Sequence, residues 1–407
     1  MKLVRFAGMI AAALVSAGFL GAQEPATPTA SRCAPEALIP PLVKTLLCTF
    51  SSAYHRPLHP VVRGIAPGGG LGAGLEYDGR FDRRWRVTAD ASLTVRESWS
   101  TQATAGYHGS RAYVEAFGRL RDLPQLDFFG LGNGSDLDDR SNFRLREGVV
   151  GGRGAIRPAS WLTIGGRVEG IWPDVRSGRS SKIPTIAERF DDSEAPGLLS
   201  QPAFLRYQAS LDVEIPPAAG EGLYQGARYR IAYARYSDRE LDQYSFDRLD
   251  LEAQQRFALF GPLRRLTLHG RVSLSEADDG NTVPFYLAPT LGGKWNLLGV
   301  HETLLGSDGT EATLRGFRNF RFRDSYLLLL QAEYRIPVWG PLDATLFAEA
   351  GKVTDRRSDL DLADLKRSAG FSLSLMRGPA TAARVDVGFG GGEGVHVFLT
   401  LHREVIP

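Results

Sequence analysis

From about position 68 to the end, the chain is built of segments of roughly ten residues in which apolar and polar side chains alternate. Trp85, Val87, Ala89, Ala91, Leu93 and Val95 alternate with Arg86, Thr88, Asp90, Ser92, Thr94 and Arg96. Leu266, Leu268, Val272 and Leu274 alternate with Thr267, His269, Arg271 and Ser273; near the end Val395, Val397, Leu399 and Leu401 alternate with His396, Thr400 and His402. A strand repeats every two residues, so each such segment presents one apolar and one polar face. The segments predict strands near 68–79, 84–96, 99–108, 111–122, 142–156, 161–172, 203–215, 227–237, 246–259, 264–276 and 283–292, then 326–338, 343–353, 368–377, 383–390 and 395–403. That makes sixteen, eleven before an arginine-rich stretch and five after it. Turns such as Phe260-Gly261-Pro262 and Trp339-Gly340-Pro341 are short, whereas the connections near 123–141, 173–202 and 293–325 are long.

A two-layer sandwich in water also alternates. The N-terminus separates the two environments. Lys2 and Arg5 precede an uncharged, mostly apolar run from Phe6 to Leu20, and the small pair Gly21-Ala22 follows. This run is too short for a membrane helix and reads as a cleavable signal peptide over residues 1–22. No other long apolar run occurs, which excludes a helical membrane protein. Export, many long strands, aromatics at strand ends and charge on the non-apolar face are met together by an all-β transmembrane antiparallel barrel with a wet interior. The expected organisation is a signal peptide (1–22), a short periplasmic segment (23–67) and a barrel (68–407), placed in the outer membrane of a Gram-negative-type cell with its lipid as the surrounding partner.

Composition narrows function further. The chain holds 48 Lys+Arg against 46 Asp+Glu. Removing Lys2 and Arg5 with the signal leaves the mature chain balanced, which gives no reason to expect nucleic acid as a partner. The 46 glycines and 10% aromatics suit strands joined by tight turns. Cys33 and Cys48, the only cysteines, follow the export signal closely and are expected to form a disulfide in an oxidising compartment. No phosphate-cradling glycine loop, His/Cys metal cluster or nucleophile–base spacing is visible, so neither cofactor nor enzymatic activity is expected.

The segment with the most chemistry runs from Leu314 to Val353. It carries Leu314-Arg315-Gly316-Phe317-Arg318, then Arg321-Phe322-Arg323-Asp324, a strand containing Arg335, and a second strand with Phe347-Ala348-Glu349-Ala350-Gly351. Five arginines between two apolar strands suit a loop folded into a protein-enclosed lumen, where guanidinium groups meet carboxylates instead of lipid. Glu349 shares the polar face of its strand with Thr345 and is the candidate partner of Arg315. Arg384 and Asp386 also face inward and are candidate lumen charges.

In these residues the chain resembles the BamA/TamA-type barrels, also called bacterial surface antigen proteins. That family carries a [V/L]-R-G-[F/Y] tetrapeptide in its sixth extracellular loop, matched by Leu314-Arg315-Gly316-Phe317. It carries an F-x-D-x-G motif two strands on, matched by Phe347, Glu349 and Gly351 with an acid one methylene longer. Phe128-Phe129-Gly130-Leu131-Gly132-Asn133 resembles an F-[F/Y]-G-[L/I]-G-N segment of barrel-only members. The resemblance implies a barrel that assists insertion or translocation of protein or lipid. It does not extend to periplasmic POTRA domains, since about 45 residues lie between signal and first strand, and it therefore implies a separate periplasmic partner. A passive or gated pore, or a structural surface protein, remains the alternative. Two departures stand out: about twenty residues (Lys294 to Thr313) separate Leu291-Gly292-Gly293 from the arginine motif, and the chain given ends Val405-Ile406-Pro407 without an aromatic.

Overall fold

The computed structural model describes residues 57–401 except 67–68, 218–222, 262, 295–312 and 378–379. The expected signal peptide, Cys33, Cys48 and His402 lie outside the described residues. Sixteen strands form one antiparallel sheet, of the outer-membrane-barrel type, in the order of the chain. They are β1 (Leu58–Arg63), β2 (Gly72–Phe81), β3 (Trp85–Thr94), β4 (Trp99–His108), β5 (Ala112–Phe128), β6 (Ser141–Ala159), β7 (Leu162–Ser177), β8 (Phe204–Ile215), β9 (Tyr224–Asp238), β10 (Phe246–Ala258) and β11 (Arg265–Ala277). After a second, two-stranded ladder of β12 (Thr290–Leu291) and β13 (Phe322–Arg323), the sheet continues with β14 (Tyr326–Trp339), β15 (Leu342–Thr354), β16 (Lys366–Arg377), β17 (Ala380–Gly390) and β18 (Val395–Leu401).

The two faces of the sheet are inverted relative to a protein folded in water. Leu346, Leu373, Leu375, Val385 and Phe389 stand exposed, while Thr345, Ser372, Ser374, Arg384 and Asp386, on the opposite face of the same strands, are buried. A surface that exposes aliphatic side chains strand after strand is stable against hydrocarbon, not water. Tryptophans at strand ends, Trp85, Trp161 and Trp339, are also exposed, as expected of an interfacial belt. Crossing hydrocarbon takes about 9–11 residues of tilted strand. β5, β6 and β7 have 17, 19 and 16 residues, so they project beyond it on the side of the long connections.

The count of sixteen holds because two departures from the sequence pattern offset each other. The first strand is β1, earlier than the start expected at 68; it is six residues long, with Pro60 inside it, too short to show alternation. The expected strand 283–292 is not in the sheet. Pro284 and Pro289 remove two ladder donors there, Leu287 N–H and Ala288 N–H turn back to Pro284 O, and Val283, Phe285, Tyr286, Leu287 and Ala288 are all buried, so no alternation survives.

This turn is the centre of a packed apolar cap inside the projecting end of the barrel. Phe128, Phe143, Phe204, Tyr236, Phe246 and Phe285 are at most 1% exposed and belong to one cluster with Ile186 and Leu198 from the 178–203 connection. Phe285 lies 5.0 Å from Phe128 and 5.1 Å from Phe143, ring centre to ring centre. Below the cap the inner wall turns ionic, with Arg119 and Arg121 on Glu147 (2.7 and 3.1 Å), Arg153 on Glu115 (2.6 Å) and Arg206 on Glu169 (2.9 Å).

Candidate functional site: the arginine loop in the lumen

Strand register brings the loop's cradle together. On the inner face Gln331 stands opposite Glu349, Glu349 opposite Ser368 and Ser368 opposite Gly390. Two residues along, the row is Glu333, Phe347, Gly370 and Gly388, and the next ends in Ser372 and Asp386. Alternation therefore supplies three carboxylates on a wall of small residues, with room for a loop to lie against it.

Arg315 fills that room and is fully buried. Its backbone N–H donates to Glu349 Oε2 (2.6 Å) and its Nε to Glu349 Oε1 (2.7 Å). Nη1 donates to Asp386 Oδ1 (3.1 Å), and Nη2 lies 2.6 Å from Glu333 Oε1, close enough for an ion pair but off line for a hydrogen bond. The guanidinium carbon sits 3.6 Å from the centre of the Phe347 ring. Phe347, Glu349 and Arg315 of the two motifs thus meet in one stack. Glu349 also accepts from Ser368 Oγ (2.6 Å) and Gln331 Nε2 (2.8 Å), so its four lone-pair directions are occupied.

Asp386 collects the remaining charges. It accepts from Arg384 Nε (2.8 Å), Ser372 Oγ (2.6 Å) and Lys294 Nζ (2.7 Å). Lys294 Nζ also donates to Thr400 Oγ1 on β18, and Arg384 reaches Glu333 (3.1 Å). Three cations and three carboxylates, all largely buried, are balanced; removal of any one leaves a charge that the lumen cannot solvate. The glycines allow the contact. A Cβ on Gly316 would lie 2.5 Å from the Phe389 backbone, and one on Gly388 would lie 2.2 Å from Arg315 O. The loop backbone therefore rests directly on β17. Phe317 and Leu314 close the arrangement in an apolar cluster with Leu291, Phe322, Leu327, Leu329 and Val353. Gly351 lies under Leu291, where a Cβ would meet its Cδ1 at 3.0 Å.

Two further arginines fix the outer part of the loop. Arg321 donates to Glu393 (2.5 Å) and twice to Ser135 (2.8 Å each), and packs over Phe129 and Phe322. Arg323 donates to Phe285 O (2.7 Å) and sits among the rings of Phe128, Phe143 and Phe285. Gly132 N–H donates to Arg323 O (2.9 Å), so the Phe128–Asn133 segment meets the arginine loop some 190 residues later in the chain. Sequence reading missed Glu333, Gln331, Lys294 and the Arg321–Glu393 pair. Glu333 was accessible, since it shares the inward parity of Gln331; Lys294 carried no signal, because only the fold brings it to Asp386.

Asp324, in the turn before β14, differs from the others. It is buried, no cation pairs with it among the described residues, and desolvation lifts its carboxyl from 3.8 to about 6. Its folded pKa exceeds the unfolded value, so its contribution to stability is complete below pH ~4 and is lost as pH rises through about 6. At about 1.4 kcal/mol per pKa unit, the effect is on the order of 2–3 kcal/mol. Protease resistance of the loop should fall between pH 4 and 7 in the wild type and stay level in Asp324→Asn. A parallel fall in both proteins would assign the pH dependence elsewhere.

No family model matches the sequence, and no curated protein sequence matches it either. Solved structures do match. BamA from Haemophilus ducreyi lacking POTRA domains 1–3 superposes with a TM-score of 0.53 at 11% identity, covering 83% of this chain and 67% of that one. CdiB from Acinetobacter baumannii gives 0.50 at 10% identity, covering 81% of this chain and 55% of that one. The fold is that of the BamA-type outer-membrane barrels.

Proposed function

From this BamA-type fold we propose that the protein resides in the outer membrane and assists insertion or translocation of protein or lipid, with a separate polypeptide supplying the periplasmic part. The observation that carries this reading is the packed cap. A diffusion pore needs a continuous wet path, and here six aromatic side chains at the projecting end are at most 1% exposed. The site for work then lies at the periplasmic side and at the ends of the sheet. The arginine loop grips the later strands, directly on β14, β15 and β17 and through Lys294 on β18.

The other terminal strand supports the same reading. Asp78 N–H donates to Pro57 O (2.7 Å), and hydrogen-bonded pairs alternate along an antiparallel ladder. His59 and Val61 therefore direct their backbone groups to β2, and Leu58, Pro60 and Val62 direct theirs away from it. Proline has no N–H, so the outer edge of β1 lacks its central donor. An edge of that kind pairs weakly and exchanges partners readily.

Photocrosslinking in cells tests the proposal. A benzophenone residue at Leu58 or Val62 should capture other outer-membrane polypeptides during their assembly, and one at Leu346, on the outer face of β15, should not. The purified barrel should show no steady single-channel conductance. Stable ohmic conductance with no capture at β1 would replace the reading with a pore.

A further inference from the structure

Between β5 and β9 the outer wall of the barrel carries a shallow, open trough of about 570 Å³. Its floor is Gly154, Gly166 and Ala209, which the register sets side by side across β6, β7 and β8, with Gly152 beside them. Val114, Val168, Tyr207 and Tyr233 stand around it, each more than a third exposed on the outward face.

At Gly154 the close approach of Tyr113 O, 2.9 Å from where a Cβ would stand, accounts for the glycine; at Gly152 and Gly166 the backbone does not require one. None of the three takes a left-handed φ. A Cβ on Gly152 would meet nothing closer than 3.6 Å, and one on Gly166 nothing closer than 3.8 Å. Glycine weakens a strand interior and commonly marks a place where something else approaches. What these positions provide is depth.

The direction of the trough indicates what enters. On the outer face the apolar belt ends in charged residues, among them Asp122 on β5, Arg146 on β6, Asp174 on β7 and Arg235 on β9. The register row through Ala116, Gly152, Val168 and Tyr207 ends at Arg235. Strands in such barrels tilt by ~35–45°, so this row starts well inside the belt and climbs to its polar edge. There Arg235 pairs with Asp278 (2.6 Å) and approaches Asp247 (3.4 Å), and the Tyr233 ring stands beside them. An apolar channel leading to a polar, mixed-charge end is complementary to one lipid: acyl chain in the trough, headgroup at the edge. A second copy of the chain fits poorly, because a twofold contact would set trough against trough and leave a void.

We propose that this trough is a specific lipid site in which one acyl chain lies across β6–β8 beneath Tyr207 and Tyr233. The proposal rests on the outer-membrane reading. The test uses the full-length protein in detergent, titrated with dimyristoylphosphatidylcholine and followed by native mass spectrometry. The wild type should keep one lipid after dilution that strips the others. Gly152→Leu/Gly166→Leu, which fills the trough, should lose that retention at least tenfold, while Ala348→Leu on the opposite wall should keep it. Heat-modified electrophoretic mobility reports whether each barrel is folded, and Gly166→Val substitutes if the double variant is not. Equal retention in wild type and filled variant would overturn the proposal, as would a wild-type dimer that the filled variant abolishes. A protein that fractionates away from membranes would overturn the outer-membrane reading instead, and that result is distinct from either.

Discussion

Arg315→Ala and Glu349→Ala should each release the arginine loop from the lumen wall, at a cost of about 3–5 kcal/mol apiece, the usual penalty for stranding one member of a buried charge pair. Arg315 is fully buried and Glu349 is 3% exposed, so neither charge that is left behind has water to turn to. The readout is protease cleavage near Phe317, which is buried while the loop is seated. The double variant should cost clearly less than the two single changes together, because residues that bond directly share their loss. Additive costs would show that the 2.7 Å contact carries no coupling. Asp386→Ala belongs to a wider circuit and should also free Lys294 and Arg384. A sharp change in conductance with intact protease resistance would mark the loop as a gate and favour a pore.

Phe285→Ala should open the cap. Removing a buried phenylalanine commonly costs 3–5 kcal/mol, and this ring joins Phe128, Phe143 and Tyr286 while its carbonyl holds Arg323. The carbonyl survives the substitution; the packing does not. Single-channel recording should therefore show conductance events in the variant that the wild type lacks, with the barrel still folded by its heat-modified mobility. Silent membranes from a folded variant would mean that a second barrier, below the cap, closes the lumen.

Long strands of one environment were legible in the sequence because each residue's face is fixed by parity. β3, and β11 from Leu266 to Leu274, alternate without a break, and the inward assignment of Glu349, Arg384 and Asp386 follows from counting by twos. β1 was not legible, since six residues with a proline carry too little pattern. The 283–292 segment misled for the opposite reason. Its residues are as apolar as a strand's, but most are buried by tertiary packing inside the cap, and two prolines keep the segment out of the sixteen-stranded sheet. The site divides in the same way. Arg315 and Glu349 announce themselves as motifs, and Glu333 is recoverable from parity. Lys294 and the Arg321–Glu393 pair depend on where a long connection turns back, which no local pattern encodes.

The base of the arginine loop is fastened at both sides. Gly293 N–H donates to Leu314 O (2.9 Å), Thr313 N–H donates to Gly293 O (3.0 Å), and Lys294 and Arg315 hold the same carboxylate of Asp386. The wall is therefore held by where the segment leaves and returns, at Gly293-Lys294 and Thr313-Leu314-Arg315. Closing a longer loop adds only about 0.6 kcal/mol for each doubling of its length. Chain length between Lys294 and Thr313 is thus free to drift in evolution without disturbing the sheet.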